Sequence, residues 1–204
     1  MISLQEPLSP IAALRQAGPQ PRTWAIGFHG TSVSFNAFDN NRMGQGNDCN
    51  TALGFFFGRW IRGALGYVRH ARNPEGEGYV IITAVPLQHC HQASLDDFWC
   101  HNERFEEDDV DHMGNWAVLP GEHARKDFQD QGFLSLSIDD IASQGTPGPV
   151  MAVFDAADTH ILARIPAHVA EQLDAWLATQ PLPAELEYQH WPHIQRWLAM
   201  HHGH

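Results

Sequence analysis

The apolar residues of this chain fall into short runs, separated by polar segments rich in Gly, Pro, Asn and Asp. Runs of this length, with β-branched and aromatic residues between turn signals, are typical of buried strands. The pattern predicts strands over 23–28, 55–57, 79–87, 132–138, 150–154 and 160–165.

Helical periodicity is clearest over 59–72. Trp60, Ile61, Ala64, Leu65 and Val68 share one face, and the opposite face carries Arg59, Arg62, Arg69 and Arg72. We interpret those arginines as a solvated stripe, with a pyrophosphate contact as the alternative. Further helices are predicted over 8–18, from 93 into the acidic run 106–111, near 122–130, over 166–178 and around 191–198. A strand-rich centre with flanking helices predicts an α+β fold.

A length of 204 residues with 43% hydrophobic content is enough for one complete core. We divide the chain into an N-terminal helix and linker (1–22), a central domain (23–165), and a C-terminal helical extension (166–204). We expect the extension to pack on the same domain.

The formal net charge of −12 makes a nucleic-acid partner less favoured than a protein partner, because binding by counterion release needs a surplus of Lys and Arg. No apolar run is long enough to span a membrane. The N-terminus has no signal-peptide pattern. We therefore expect a cytoplasmic protein, or one that is delivered to a target cell by a route that reads no signal peptide. The sequence leaves the oligomeric state open.

Three cysteines and fourteen histidines raise the question of a metal site, most of all at His89-Cys90-His91 and Cys100-His101. On an extended segment His89 and His91 would share a face while Cys90 would point away. Structural zinc sites use ligand pairs spaced by two to four residues, and this spacing does not provide them. We predict no metal.

The segment with the most chemical character is Gly27-Phe28-His29-Gly30-Thr31, which closes the first apolar run. About two dozen residues later comes the aromatic strand Gly54-Phe55-Phe56-Phe57-Gly58, and Tyr67 follows on the next helix. Together they offer an imidazole, a glycine backbone that a flat ligand can approach, and two aromatic faces. Such a set suits a planar ring that carries an amide, such as nicotinamide.

These motifs resemble the ADP-ribosyltransferase fold, in its diphtheria-toxin and poly(ADP-ribose)-polymerase branch, and most closely the small prokaryotic and phage polyvalent domains. The resemblance covers about residues 23–165. The segments that carry it are His29-Gly30-Thr31, Phe35-x-x-Phe38-Asp39, Gly44-Gln45-Gly46, Gly54-Phe55-Phe56-Phe57 and Val153-Phe154-Asp155. It implies a split β-sheet core and NAD as the substrate.

The resemblance also implies roles for particular residues. His29 and Gly30 would hold NAD, and Phe56 and Tyr67, eleven positions apart, would enclose the nicotinamide. Phe56 stands where the family has a tyrosine, so it keeps the stacking face and lacks the hydroxyl. Thr31, Arg42, Gly44 and Gly58 complete the expected NAD-binding set.

The family's catalytic glutamate corresponds to Val150, three residues before Val153-Phe154-Asp155. Asp155, Glu106, Glu107 or an acidic group of the target would then have to stabilise charge at the ribose. With His29, Phe56, Tyr67 and Val150 at the catalytic positions, we predict a toxin- or effector-type mono-ADP-ribosyltransferase that modifies a macromolecule, preferably a protein. The alternatives are an NAD glycohydrolase and a catalytically inactive binding module.

Overall fold

The computed structural model describes residues 10–45, 52–70, 78–93, 119–143 and 146–202. Seven strands form one sheet: β1 Trp24–Thr31, β2 Phe55–Gly58, β3 Tyr79–Pro86, β4 Cys90–Ala93, β5 Ser135–Ser143, β6 Thr146–Val153 and β7 His160–Pro166. The helices are α1 Pro10–Ala17, α2 Ile61–His70, α3 Leu119–Asp130, α4 Ala167–Leu177 and α5 Trp191–His202. The fold is α+β, with a mixed sheet and flanking helices.

The sheet divides into two halves. Its strand order is β4-β5-β6-β2-β1-β3-β7, and the central neighbours β1 and β2 share one registered pair, Phe28 with Gly58. By contrast, β1 pairs with β3 along its whole length, from Trp24–Pro86 to Thr31–Tyr79. One half therefore contains β4, β5, β6 and β2, the other contains β1, β3 and β7, and a seam separates them.

A buried apolar cluster lies between the two halves. Ala25, Ile81 and Val85 come from one half. The other half contributes Phe55, Phe57, Met151 and Val153. The Ser135 hydroxyl donates to the Pro86 carbonyl across the same interface, at 3.1 Å. We call the sides that face this cluster inner and the opposite sides outer.

Helices cover the outer sides. α2, α4 and α5 pack on the β1-β3-β7 half around Phe28, Val80 and Leu173, while α3 packs on the other half through Phe128. α1 contributes Leu14 to a smaller cluster with Trp24. The helical part of 166–204 thus contacts the central sheet, and the division of the chain into three parts stays a prediction.

The predicted strands and helices are present within the described residues, but β1, β5 and β6 differ in extent and one strand was not predicted. β5 and β6 run beyond the predicted 132–138 and 150–154 because they stay paired as far as Ser143 with Thr146. β1 continues through His29-Gly30-Thr31 because these residues pair with Ile81, Val80 and Tyr79. β4 was not predicted, because its polar residues show no apolar alternation; it gains its place by parallel pairing with β5. The helix predicted from 93, with its acidic run, lies outside the described residues.

The described helices include none that is long and apolar enough to cross a membrane. Within the same part of the chain, no three His, Cys, Asp or Glu side chains lie close enough together to hold a metal ion. Cys100 and His101 lie outside it.

Candidate NAD site at the sheet seam

The registered pairing across the seam stops before Gly30. Ile26 N–H donates to the Leu186 carbonyl at 2.8 Å on the side away from β3. Because backbone groups of alternate strand residues point to the same side, Gly30 N–H and C=O also point away from β3. A continued ladder would pair them with Phe56, but the registered pairing of β1 with β2 ends at Phe28–Gly58. Gly30 thus directs its peptide groups into the seam.

His29 bridges the seam with its side chain. Its Nδ1 lies 2.9 Å from the Phe56 carbonyl oxygen. Since a carbonyl oxygen only accepts, Nδ1 carries the proton and donates it, and in the neutral ring Nε2 is the acceptor. This hydrogen bond occupies the Phe56 carbonyl, which would otherwise accept from β1 if the β1–β2 ladder continued. It also fixes the His29 tautomer with the proton on Nδ1.

Aromatic rings surround His29 on the inner side. The ring centroids of Phe35, Phe38 and Phe57 lie 6.0, 5.3 and 5.9 Å from that of His29. Burial in this setting lowers the pKa of His29, and the hydrogen bond to Phe56 opposes the shift only in part. His29 is therefore neutral at pH 7, which suits a hydrogen-bonding role more than proton transfer.

Gly30 and Tyr67 meet on the outer side of β1. A Cβ placed on Gly30 would lie 2.9 Å from the carbonyl carbon of Ala64 in α2 and 3.1 Å from Cβ of Tyr67. Tyr67 is half-buried, one turn of helix beyond Ala64. The absence of a side chain at Gly30 thus lets α2 approach β1 and places Tyr67 beside the seam.

Phe56 also points to the outer side, as strand alternation predicts. It pairs with Ala152 of β6, and its half-buried ring packs against the cluster that contains Leu53 and Phe128. The structure therefore holds Phe56 on the α3 side of the seam and Tyr67 on the α2 side. His29 lies on the inner side, and the enclosure of one ligand by Phe56 and Tyr67 remains a prediction.

Val150 lies beside this site and brings no charge to it. It pairs with Gly58 across β2 and β6, and alternation puts both on the same side as Phe56. Val150 is 6% exposed. Gly58 itself is closely covered, since a Cβ there would lie 3.0 Å from the Trp60 carbonyl oxygen. The position at which the resemblance implies a glutamate is thus next to the seam, buried and apolar.

The segment 32–45 covers the inner side of the site. Thr31, at its start, donates through Oγ1 to the Val33 carbonyl at 3.1 Å. Arg42 is exposed at the end of a 3-10 turn, and Gly44 has φ of +74°, a conformation that glycine tolerates best. The structure thus brings Thr31 close to the seam but places Arg42 and Gly44 on a surface turn; Gly46 lies outside the described residues.

Asp155 is engaged in fixing a turn. Its carboxylate accepts from Asn40 Nδ2 at 3.0 Å, from Ala157 N–H at 2.9 Å and from Arg15 at 3.2 Å. Partial burial raises the pKa of Asp155, but these hydrogen bonds and the Arg15 charge outweigh burial and lower it. A carboxylate so engaged is a poor substitute for the missing glutamate, and Glu106 and Glu107 lie outside the described residues.

Arg59 corrects the predicted solvated stripe. It is 5% exposed and lies before α2, where its guanidinium is 3.4 Å from Glu185 Oε2 and 3.4 Å from the Leu186 carbonyl oxygen. Arg59 directly follows β2, so by strand alternation its side chain points to the inner side, as that of Phe57 does. Helical periodicity gave the wrong side because it treated Arg59 as part of α2. Arg62 does lie exposed, above the Trp60 ring and 3.9 Å from Asp174.

Sequence reasoning missed the polar residues that hold segment 32–45. Asn40 bonds to Asp155 and Ala156, Arg164 donates to the Phe35 carbonyl at 3.3 Å, and Arg15 binds the turn after β6. The three consecutive residues Asp39-Asn40-Asn41 signalled a turn. No local signal pairs Asn40 or Arg15 with residues more than a hundred positions away.

No protein-family model matches the chain, and no curated protein matches it. Among solved structures, the chain is similar to a chain of the M. tuberculosis MbcT–MbcA toxin–antitoxin complex. That likeness has a TM-score of 0.43 and 10% sequence identity, and covers 79% of this chain and 94% of that chain. We draw nothing about activity from so distant a likeness.

Proposed function

We propose that this protein uses NAD as a substrate, as a toxin- or effector-type mono-ADP-ribosyltransferase with a protein target. The observation that carries the proposal is the seam at Gly30, where β1 and β2 part and the His29 side chain replaces their backbone pairing. A carboxamide has one acceptor and one donor group, which complement the N–H and C=O of Gly30.

Each neighbouring residue has a part in this proposal. Tyr67 and Phe56 supply aromatic faces on either side of the nicotinamide. His29, neutral and with Nε2 as an acceptor, takes a hydrogen bond from a ribose hydroxyl. Together they orient the dinucleotide. Orientation of the reacting atoms raises the rate of catalysis more than tight binding of the ground state alone does.

In the proposed reaction the bond between the nicotinamide nitrogen and ribose C1′ breaks, and its electron pair leaves with nicotinamide. The ribose passes through an oxocarbenium-like state, as in other glycosyl transfers. A nucleophilic atom of the acceptor then bonds to C1′ and loses its proton. Val150 offers no charge to the cation, so an acidic group of the target is the candidate that completes the site.

The test is calorimetric titration of the folded protein with NAD, followed by measurement of NAD consumption with and without an added mixture of cell proteins as acceptors. We expect saturable binding, and in His29→Ala an affinity lower by about tenfold, which is the loss of one well-placed hydrogen bond. His123→Ala is the control, because His123 is exposed on α3. NAD consumption should disappear in the first variant and persist in the second.

Two results would contradict the assignment: a wild-type protein that binds no NAD, or a folded His29→Ala protein with unchanged affinity and consumption. NAD consumed at full rate without any macromolecular acceptor would identify a glycohydrolase instead. Binding without consumption, whatever proteins are added, would indicate an inactive binding module.

A further inference from the structure

Segment 32–45 covers the inner side of His29, and the polar contacts that hold this segment lie away from the imidazole ring. Phe35 and Phe38 lie against the His29 imidazole, and Phe38 is 9% exposed. The two rings also contact each other, with centroids 4.9 Å apart. Phe38 also packs against Phe55 and Phe57, with centroids 5.0 and 5.2 Å apart. Apolar packing is not directional, so polar contacts elsewhere in the segment add to its positioning.

Asn40 supplies a fastening just after Phe38. Its Nδ2 donates to Asp155 Oδ1 at 3.0 Å, and its Oδ1 accepts from Ala156 N–H at 2.8 Å. Both halves of one amide thus bind the turn that follows β6. Two bonds from a single planar group fix its orientation as well as its distance.

The turn that receives Asn40 is itself rigid. Arg15 of α1 donates through Nε to Asp158 Oδ1 at 2.7 Å and through a terminal nitrogen to Asp158 Oδ2 at 2.8 Å. Asp158 is 0% exposed, and Arg15 also reaches Asp155 Oδ2 at 3.2 Å. A two-pronged guanidinium pair with a buried carboxylate is among the stronger polar contacts in proteins. Asn40 therefore bonds to a turn that α1 and β6 hold in place.

We infer that Asn40 is a positioning residue: its two bonds to the turn at Asp155 hold Phe35 and Phe38 against His29, and so set the orientation of the imidazole for the ligand of the seam. The part that concerns NAD rests on the proposed function above. Arg164 holds the opposite end of the segment through Phe35 and Asn36. Loss of Asn40 should therefore release the Phe38 end alone.

The direct readout is the pKa of His29, measured by NMR titration of labelled histidines and assigned by the signal that His29→Ala loses. Burial lowers this pKa in the wild type. The charged groups on segment 32–45 and on the neighbouring β7 include Asp39, Arg42 and Arg164, and Asn40→Ala alters none of them. His29 is half-buried in the wild type. In Asn40→Ala more water reaches the ring, and the pKa should rise towards the ordinary value of about 6.5.

Asn41→Ala is the matched control. Asn41 has the same side chain one position further on, but its Nδ2 donates to the neighbouring Asp39, at 2.9 Å, within the same turn. Asn41→Ala should leave the pKa of His29 unchanged.

In Asn40→Ala, NAD affinity should fall about fivefold, because the imidazole is in the orientation that binds NAD only part of the time.

A rescue pair separates positioning from a general effect on the fold. Asn40→Asp sets two carboxylates against each other and should raise the pKa of His29 at least as much as Asn40→Ala does. Asp155→Asn in the same molecule restores the donor and acceptor pair with residue 40 in exchanged positions, but it removes the acceptor of Ala157 N–H, which also donates to Asp155 Oδ1. The pKa of His29 should therefore return part of the way towards the wild-type value. An unchanged pKa in folded Asn40→Ala, or no return in the exchanged pair, would overturn the inference.

The pKa measurement needs no NAD. If the wild type binds no NAD while Asn40→Ala still raises the pKa of His29, the proposed function fails and the positioning role stands. If NAD binds and the pKa does not move, the positioning role fails alone.

Discussion

Replacing Gly30 by alanine should destabilise the protein by packing alone. The added Cβ would lie 2.9 Å from the carbonyl carbon of Ala64 and 3.1 Å from Tyr67 Cβ, with the Ala64 carbonyl oxygen closer still. Carbon atoms in optimal contact lie about 3.5–4.0 Å apart. Because the opposing atoms belong to the α2 backbone, no rotamer change relieves the clash, and the helix itself must move.

That movement disturbs buried residues. Ile61, Ala64 and Leu65 of α2 are between 1% and 5% exposed in the outer core. Overpacking of this kind costs about 1–3 kcal/mol and occasionally more. For a small protein, whose urea m-value is about 1–3 kcal/mol/M, the unfolding midpoint should fall by roughly 1 M.

Gly63→Ala is the matched control, on the same helix. A Cβ at Gly63 meets no atom within 4 Å. Alanine there should stabilise the protein by about 0.5 kcal/mol, through helix propensity and a less flexible unfolded chain. The unfolding free energies of the two variants, measured in urea, should therefore differ by about 1.5–3.5 kcal/mol. Equal unfolding free energies would refute the close packing of α2 on Gly30.

Two further predictions concern pH and the product. Burial lowers the pKa of both His29 and His160, so as the pH falls below about 6.5 the unfolded chain binds protons that the folded chain does not, and stability falls. His29→Gln should reduce the loss of unfolding free energy between pH 6.5 and the folded-state pKa of His29, as measured by urea unfolding at several pH values. An unchanged pH dependence would contradict the burial of His29. The prediction on the product follows from the proposed transferase activity: with Val150 where the resemblance implies a glutamate, a modified target should carry a single ADP-ribose unit at each site, since valine cannot activate a ribose hydroxyl for chain growth. Intact mass spectrometry decides this, and a series of added units at one site would show it wrong.

The sequence predicted the strands and helices well where apolar residues report burial, on both sides of β1 and β3 and on one side of α2. The apolar runs over 23–28 and 79–87 became β1 and β3, whose residues Ile26, Ile81 and Ile82 are fully buried. Periodicity located α2 within two residues at either end. In each case the hydrophobic pattern reports burial directly, and local turn signals set the ends.

The same pattern cannot report contacts between distant polar residues. Arg59 follows the aromatic strand and precedes a helix with exposed arginines, so periodicity assigned it to the solvated face. Its burial depends on Glu185 and Leu186, about 125 positions later. The bonds of Asn40 and Arg15 to the turn after β6 are of the same kind, because tertiary structure alone brings these residues together.

The two ends of the seam explain why the candidate site lies at Gly30. Towards Trp24, beyond the Phe28–Gly58 pair, the seam is closed: Ala25 forms a bridge with Glu187, Ile26 donates to Leu186, and Arg59 donates to the same Leu186 carbonyl. Towards Thr31, a side chain, His29, spans the seam at one carbonyl. A planar ligand that needs backbone hydrogen bonds can therefore reach them on the Thr31 side, beside Tyr67. Motif spacing predicts a site at the same residues. The division of the sheet is the physical reason for proposing that Gly30, and not Ile26, offers its peptide groups to a ligand.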